Sequence, residues 1–240
     1  MKNNIPGINK VECKKCAMHA ICQPELVGNR KIHFAHDILK CQNQSIKRGS
    51  FLFRQGDSFN SIYAICSGGI KLTTTSSNKT EQVAGFYYPG EIVGPSAISS
   101  NYYQTDAIAL SGTQICELPF NQLELISLSE PKVMAEIFKL MSNELSLHQE
   151  ILKNLSGNKS AEEKLAAFFI NASQRYSLHG FPEYNFKLGM TRLDIGNHLG
   201  LAKATVSRMI KRFMNKGFLR ISGRNCHLLD LQQLRNVITE

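Results

Sequence analysis

Apolar and polar positions change their period along the chain. Between residues 46 and 120, short apolar segments such as Phe51–Phe53, 61–66 and Ile70–Thr75 alternate with turn residues. Those are Gly49, Gly56-Asp57, Gly68-Gly69, Pro89-Gly90, Gly94 and Gly112. Short runs at regular spacing predict strands of a sandwich or barrel. From residue 131 the period lengthens. Pro131 suits a first helical turn. Met134, Phe138, Met141, Leu145, His148, Leu152 and Leu155 then recur at alternating spacings of four and three. Such a heptad seam predicts a helix paired with a second helix, the alternative being one amphipathic helix lying on its own β domain. Ser156-Gly157-Asn158 ends it.

The last third reads as an amphipathic helix over 161–176, two short helices over 191–198 and 202–215 joined through Gly200, and a hairpin over 218–229. The hairpin turns at Ser222-Gly223-Arg224-Asn225. Thr191 is a good N-cap, and Asp194 stands where a capping box places its carboxylate. In the second short helix Val206, Met209, Ile210 and Phe213 share one face and Lys203, Ala204, Ser207, Arg208 and Lys211 the opposite one. From 202 to 216 there are five basic residues and no acidic one. An apolar back and a basic front suit a helix docked on its domain and seated in a DNA major groove. Arg208 has the fork for guanine O6 and N7, with Ser207 beside it. Lys211 and Arg212 suit phosphates. A solvated basic face on an ordinary helical hairpin is the plainer alternative.

Charge sharpens this picture. The chain has 240 residues and a formal net charge of +9. Residues 161–240 hold 12 Lys and Arg against 6 Asp and Glu, and residues 1–160 hold 16 against 13. Two thirds of the excess sits in the last third, as an appended nucleic-acid module produces. No apolar run reaches the roughly 20 residues of a membrane helix, and residues 1–15 lack a signal-peptide core. A cytoplasmic protein without membrane attachment is expected. An enzyme is not: there is no G-x-S-x-G and no Walker-type sequence.

Three of the seven cysteines lie in the otherwise polar residues 1–23, at Cys13, Cys16 and Cys22, as C-x2-C-x5-C. Thiols this close can wrap one metal centre. Zinc would add His19 as a nitrogen ligand. An iron–sulfur cluster would take a fourth thiolate from Cys41, Cys66, Cys116 or Cys226. Without metal, Lys14 and Lys15 would lower the thiol pKa values and favour a thiol–disulfide switch.

The chain resembles the bacterial cAMP receptor protein superfamily, and within it the fumarate–nitrate reduction regulators (FNR). The likeness runs through Gly49, Phe53, Gly56-Asp57, Ser61-Ile-Tyr-Ala-Ile65, Ser67-Gly68, Gly69-Ile-Lys71, Gly90-Glu-Ile-Val-Gly94, Ala161-Glu-Glu-Lys-Leu-Ala-Ala-Phe168 and Met190-Thr-Arg-Leu-Asp-Ile-Gly-Asn197. It implies an α+β fold. A cysteine arm (1–23) would precede a cyclic-nucleotide-binding-like β-roll (24–130), a dimerisation helix (131–157) and a winged helix-turn-helix domain (158–240). FNR carries three ligands at the C-x2-C-x5-C spacing and a fourth in a segment resembling Ile115-Cys-Glu-Leu-Pro-Phe120. The resemblance thus implies a 4Fe-4S cluster on Cys13, Cys16, Cys22 and Cys116, with His19, Cys41, Cys66 and Cys226 on no ligand position. It further implies an oxygen-responsive homodimer that binds two-fold symmetric double-stranded DNA beside RNA polymerase. The segment 95–106 lacks the arginine of cyclic-nucleotide binders, and no arginine stands between Lys79 and Lys132. A cyclic phosphate would lack its bidentate partner, so no cyclic nucleotide is expected. Ala204 stands where FNR usually presents a glutamate, which removes an acceptor for cytosine N4.

Overall fold

In a computed structural model, residues 13–22, 43–75, 81–129, 131–155 and 159–239 are described. The predicted strands form. They are β1 (Asn43–Ile46), β2 (Phe51–Phe53), β3 (Ser61–Ser67), β4 (Ile70–Thr75), β5 (Glu81–Tyr87), β6 (Ile92–Val93), β7 (Asp106–Ala109) and β8 (Thr113–Pro119). They build two four-stranded sheets, ordered β1-β8-β3-β6 and β2-β7-β4-β5.

Alternation along β3 explains the layering, since successive side chains of a strand point to opposite faces. Ile65 joins Phe53, Ile70, Leu72, Tyr87, Val93 and Tyr103 in the β-roll core, with Tyr63 packed against it. Ile62 and Ala64 join a second apolar layer with Ile92, Cys116 and Leu118. That layer is completed by Leu123 of α2 (Phe120–Ser129) and by Val133 and Leu140 of α3 (Pro131–Leu155). The polar-to-apolar pattern gave no separate signal for α2.

The same layer takes in Met18 and Ile21, 1% and 2% exposed. These residues flank the start of α1 (His19–Cys22), which follows a 3-10 turn at Cys13–Lys15. The cysteine segment is therefore packed onto the β domain. Two apolar residues among polar ones gave too short a pattern to read as core.

The C-terminal part holds α4 (Ala161–Leu178), β9 (Asn185–Lys187), α5 (Arg192–Leu199), α6 (Lys203–Asn215), β10 (Leu219–Ser222), β11 (Asn225–Leu228) and α7 (Leu231–Thr239). Ser160 caps α4, its hydroxyl accepting from Glu163 N at 3.2 Å. Leu165, Phe169, Ile195, Val206, Ile210, Phe213, Leu219 and Leu234 are almost fully buried there. The hairpin turns where the sequence placed it, and β9 adds a third strand in the order β10-β11-β9. The short β9 and the helix α7 were not anticipated.

Two compact units are distinguished, Met1–Thr74 with Phe86–Asn143, and Thr75–Gly85 with Glu144–Glu240. No helix among the described residues is long and apolar enough to cross a membrane.

Candidate DNA-reading surface and cysteine pocket

The first short helix, α5, begins at the predicted cap. Asp194 N donates to Thr191 Oγ1 at 3.1 Å, and Thr191 N donates to Asp194 Oδ2 at 2.7 Å, closing the capping box. Two of the donors that a helix start leaves without partners are thereby satisfied. The inter-helix turn depends on two glycines. Gly200 adopts φ +67°, and a Cβ on Gly196 would lie 2.5 Å from the Leu201 carbonyl oxygen. That oxygen approaches because Leu201 N donates to Gly196 O at 2.9 Å.

The second helix, α6, follows at the angle this turn sets. Val206, Ile210 and Phe213 are buried and Met209 half-buried, while Lys203, Ala204, Arg208 and Lys211 are exposed and Ser207 is half-exposed. The two faces are thus as expected. Arg212 differs from its neighbours: its Nη1 lies 2.9 Å from Glu162 Oε2, and Lys216 Nζ lies 3.5 Å from Glu162 Oε1. An exposed pair of this kind adds at most about 1 kcal/mol, but it turns Arg212 toward the first turn of α4. Arg192, Arg220 and Arg224 are also exposed, the last beside Gly223 at the hairpin turn. Sequence reasoning passed over these three; the signal was their place at a helix start and in a hairpin.

The cysteines fall in three situations. Cys116 is 8% exposed in the apolar layer beside Met18 and Ile21, and Cys16 and Cys66 are half-buried against that layer. The arm is pinned there by a bond from Ala17 N to Gly90 O of 2.8 Å. Cys116 is disulfide-bonded, whereas Cys16, Cys66 and Cys226 are not. Cys226 is fully buried in the C-terminal unit, and burial pushes its thiol up to about 12, so it is inert at neutral pH. Of the other predicted ligands, Cys13 and Cys22 have side chains outside the described ones, and Cys41 lies outside the described residues. Among the described residues no three His, Cys, Asp or Glu side chains gather as a metal site. His19 Nδ1 is buried with no hydrogen-bond partner, an exception to the rule that buried polar atoms are satisfied.

The sequence pattern of the cyclic nucleotide-binding domain matches residues 43–127, and that of the Crp-like helix-turn-helix domain matches residues 163–237. The transcriptional activator protein Anr of Pseudomonas protegens is 37% identical over 226 residues, covering 94% of this chain and 92% of its own. The chain belongs to the CRP/FNR family of DNA-binding transcription regulators. The anaerobic regulatory protein of Haemophilus influenzae is 39% identical over 224 residues, 93% of this chain and 86% of that one. Among solved structures, FixK2 from Bradyrhizobium japonicum superposes with a TM-score of 0.72 at 26% identity, covering 81% of this chain and 96% of that one. The relatives of this CRP/FNR chain carry regulators' names, and it is a regulator rather than an enzyme.

In this CRP/FNR member the β-roll interior is occupied by its own side chains. The Tyr103 ring stacks on Phe53 with centroids 3.8 Å apart, and its hydroxyl donates to Ser61 O at 2.7 Å. Burial raises the Tyr103 and Tyr63 hydroxyls above their ordinary pKa, so both stay neutral. The buried Glu91 carboxylate accepts from Tyr88 N at 2.8 Å.

Proposed function

We propose that this chain is an oxygen- or redox-responsive regulator in which a 4Fe-4S cluster on Cys13, Cys16, Cys22 and Cys116 governs dimerisation and DNA binding. The observation that carries this reading is the placement of Cys16 and Cys116 against one apolar layer, although 99 intervening residues separate them. Two further features fit the group. The donors are cysteines, which once reduced supply the thiolates that such clusters take. His19 Nδ1 is buried without a hydrogen-bond partner, three residues from Cys16 and Cys22 in the chain, which leaves a polar atom for such a group to satisfy. When bound, such a cluster supplies an oxygen-labile, redox-active centre. The chain's own part is to hold the arm: Met18, Ile21 and the Ala17–Gly90 bond anchor it, and the apolar layer limits water. Names of relatives such as "anaerobic regulatory protein" support a response to anaerobiosis.

Dimerisation is proposed across α3. Phe138, Leu145 and Leu152 are 68%, 61% and 63% exposed, and Met134 is 39% exposed, so one helix edge presents large apolar side chains to water. Covering each contributes on the order of 1 kcal/mol or more. Met141 and His148 continue the seam; the side chain of Leu155 lies outside the described ones. A second copy then presents two α6 helices to half-sites about one helical turn apart. In that complex Arg208, with Ser207, reads a base edge, Lys211 and Lys203 reach phosphate or guanine, and Ala204 offers a methyl. Arg212 reaches phosphate only by leaving Glu162. The same reading divides the chain at 23, 130 and 157, places it in the cytoplasm, has RNA polymerase as its partner at promoters, and assigns no cyclic-nucleotide ligand.

Zinc with His19 as a ligand is the second reading, favoured by that same orphaned nitrogen. Metal analysis of anaerobically purified full-length protein separates the two. The cluster predicts iron and acid-labile sulfide in equal amounts and visible absorption that bleaches in air. Cys116→Ala abolishes both, and Cys226→Ala keeps them. Zinc without sulfide, or full iron content in Cys116→Ala, overturns the assignment.

A further inference from the structure

We propose that Glu162 is a brake on DNA binding, its carboxylate competing with DNA phosphates for Arg212 and Lys216. The inference rests on the proposed seating of α6 in the major groove. Each oxygen of the carboxylate holds one cation. Arg212 Nη1 lies 2.9 Å from Oε2, and Lys216 Nζ lies 3.5 Å from Oε1. The carboxylate comes from the first turn of α4, and the two cations from the C-terminal end of α6. All three residues belong to one compact unit.

Neither helix needs this bridge to end properly. Ser160 already caps α4, and its hydroxyl donates to Glu163 Oε1 at 2.8 Å. The C-cap of α6 is closed by its own backbone, Lys216 N donating to Arg212 O at 3.0 Å. Both cations are exposed, and ion pairs with exposed partners add little to stability and exchange readily. Lys216 is also held over the Phe218 ring, 5.3 Å from its centre, so Arg212 is the cation more easily released.

The place of Arg212 on α6 gives the bridge its consequence. Arg212 stands one turn beyond Arg208 and next to Lys211, on the flank between the reading face and the buried face of Val206, Ile210 and Phe213. A helix with its side chains is about 10–12 Å across and the major groove about 12 Å wide. The flanks of a seated helix therefore meet the phosphate walls. A cation that neutralises a phosphate there releases a counterion and adds affinity. While Glu162 holds Arg212, that contact is not made. Phosphate contacts carry no sequence information, so Glu162 sets how tightly the chain holds any duplex, and Arg208 sets which one.

The test uses the full chain, purified without oxygen, and a short duplex of random sequence. Affinity is read by fluorescence anisotropy over a series of salt concentrations, with the oligomeric state recorded by sedimentation. Glu162→Gln should bind several-fold tighter, and its plot of log affinity against log salt should steepen by roughly 0.9 for each phosphate gained. Glu162→Asp, which keeps the charge but shortens its reach, should show part of the gain. Made in an Arg212→Gln, Lys216→Gln background, Glu162→Gln should give almost no gain. Binding equal to or weaker than wild type in both Glu162 variants overturns the brake. So does a gain that persists in the doubly substituted background, because loss of one negative charge then explains it. Lys211→Gln tests the seating itself and should weaken binding. Weakening there without a gain in the Glu162 variants overturns the brake alone; no weakening overturns the seating of α6, and the brake with it.

Discussion

His198 Nδ1 lies 3.1 Å from the carbonyl oxygen of Val83, a residue 115 positions earlier in the chain. A carbonyl can only accept, so Nδ1 carries the proton and the imidazole is held in one tautomer. The ring also meets Phe168 edge-on at 6.3 Å. Helix α5 of the helix-turn-helix is thereby tied to the Thr75–Gly85 segment, which belongs to the same compact unit.

That contact predicts a pH dependence of stability. Burial, the largest cause, holds the His198 imidazole below its ordinary 6.5; the Val83 bond opposes this and the Arg175 charge adds to it. A depressed folded pKa means the unfolded chain binds the proton more readily. The stabilisation is therefore complete above about 6.5 and is lost as pH falls through the lower folded value. Denaturant unfolding of the full chain at pH 7.5 and 5.5 should show this loss, reduced in His198→Gln. At pH 7.5 that variant should cost about 1 kcal/mol, the net worth of one hydrogen bond. An identical pH slope in the variant would assign the dependence to another group.

His148 predicts a second pH effect, on the proposed dimer. Desolvation by its surroundings, and then the Arg175 charge, keep this imidazole below the ordinary 6.5. In a parallel pair of α3 helices, two protonated rings at one level of the seam repel. The dimer should hold unchanged down to about pH 6.5 and weaken below it. Sedimentation of wild type and His148→Leu between pH 7.5 and 5.5 checks this, the leucine variant staying dimeric throughout. Equal behaviour of the two would remove His148 as the source.

On the DNA side, Arg208 and Ala204 make separable predictions. Arg208→Ala should lose roughly 1–3 kcal/mol of discrimination at one base pair while random DNA binds nearly as before. The Ala204 methyl can touch a thymine methyl but accepts no hydrogen bond. The half-site should therefore be degenerate at that base pair, and Ala204→Glu should sharpen it. Selection on randomised duplexes with both proteins side by side reads this directly. Strict selection by wild type at that pair would mean another residue reads it.

Local periodicity made the strands, α3 and the helix-turn-helix legible from the chain alone. Side-chain direction follows backbone geometry, with period 2 in a strand and 3.6 in a helix. For the same reason the capping box at Thr191 and Asp194 could be read, since both partners lie within one turn. Short elements escaped. The three residues of β9 carry no full period, and α2 follows β8 directly, with no residue between them to mark the change.

What the chain by itself determined was therefore chemistry and local shape: a basic-fronted reading helix, a seam of apolar residues, and three cysteines at a ligating spacing. Tertiary structure alone decided which distant residues share a space. It buried Met18 and Ile21 in the layer of Cys116, brought Cys66 to that layer, turned Arg212 toward Glu162, and set His198 on Val83. Spacing along a chain governs which side chains share a face. Which faces meet is settled by the packing of whole elements, where each buried contact depends on all the others.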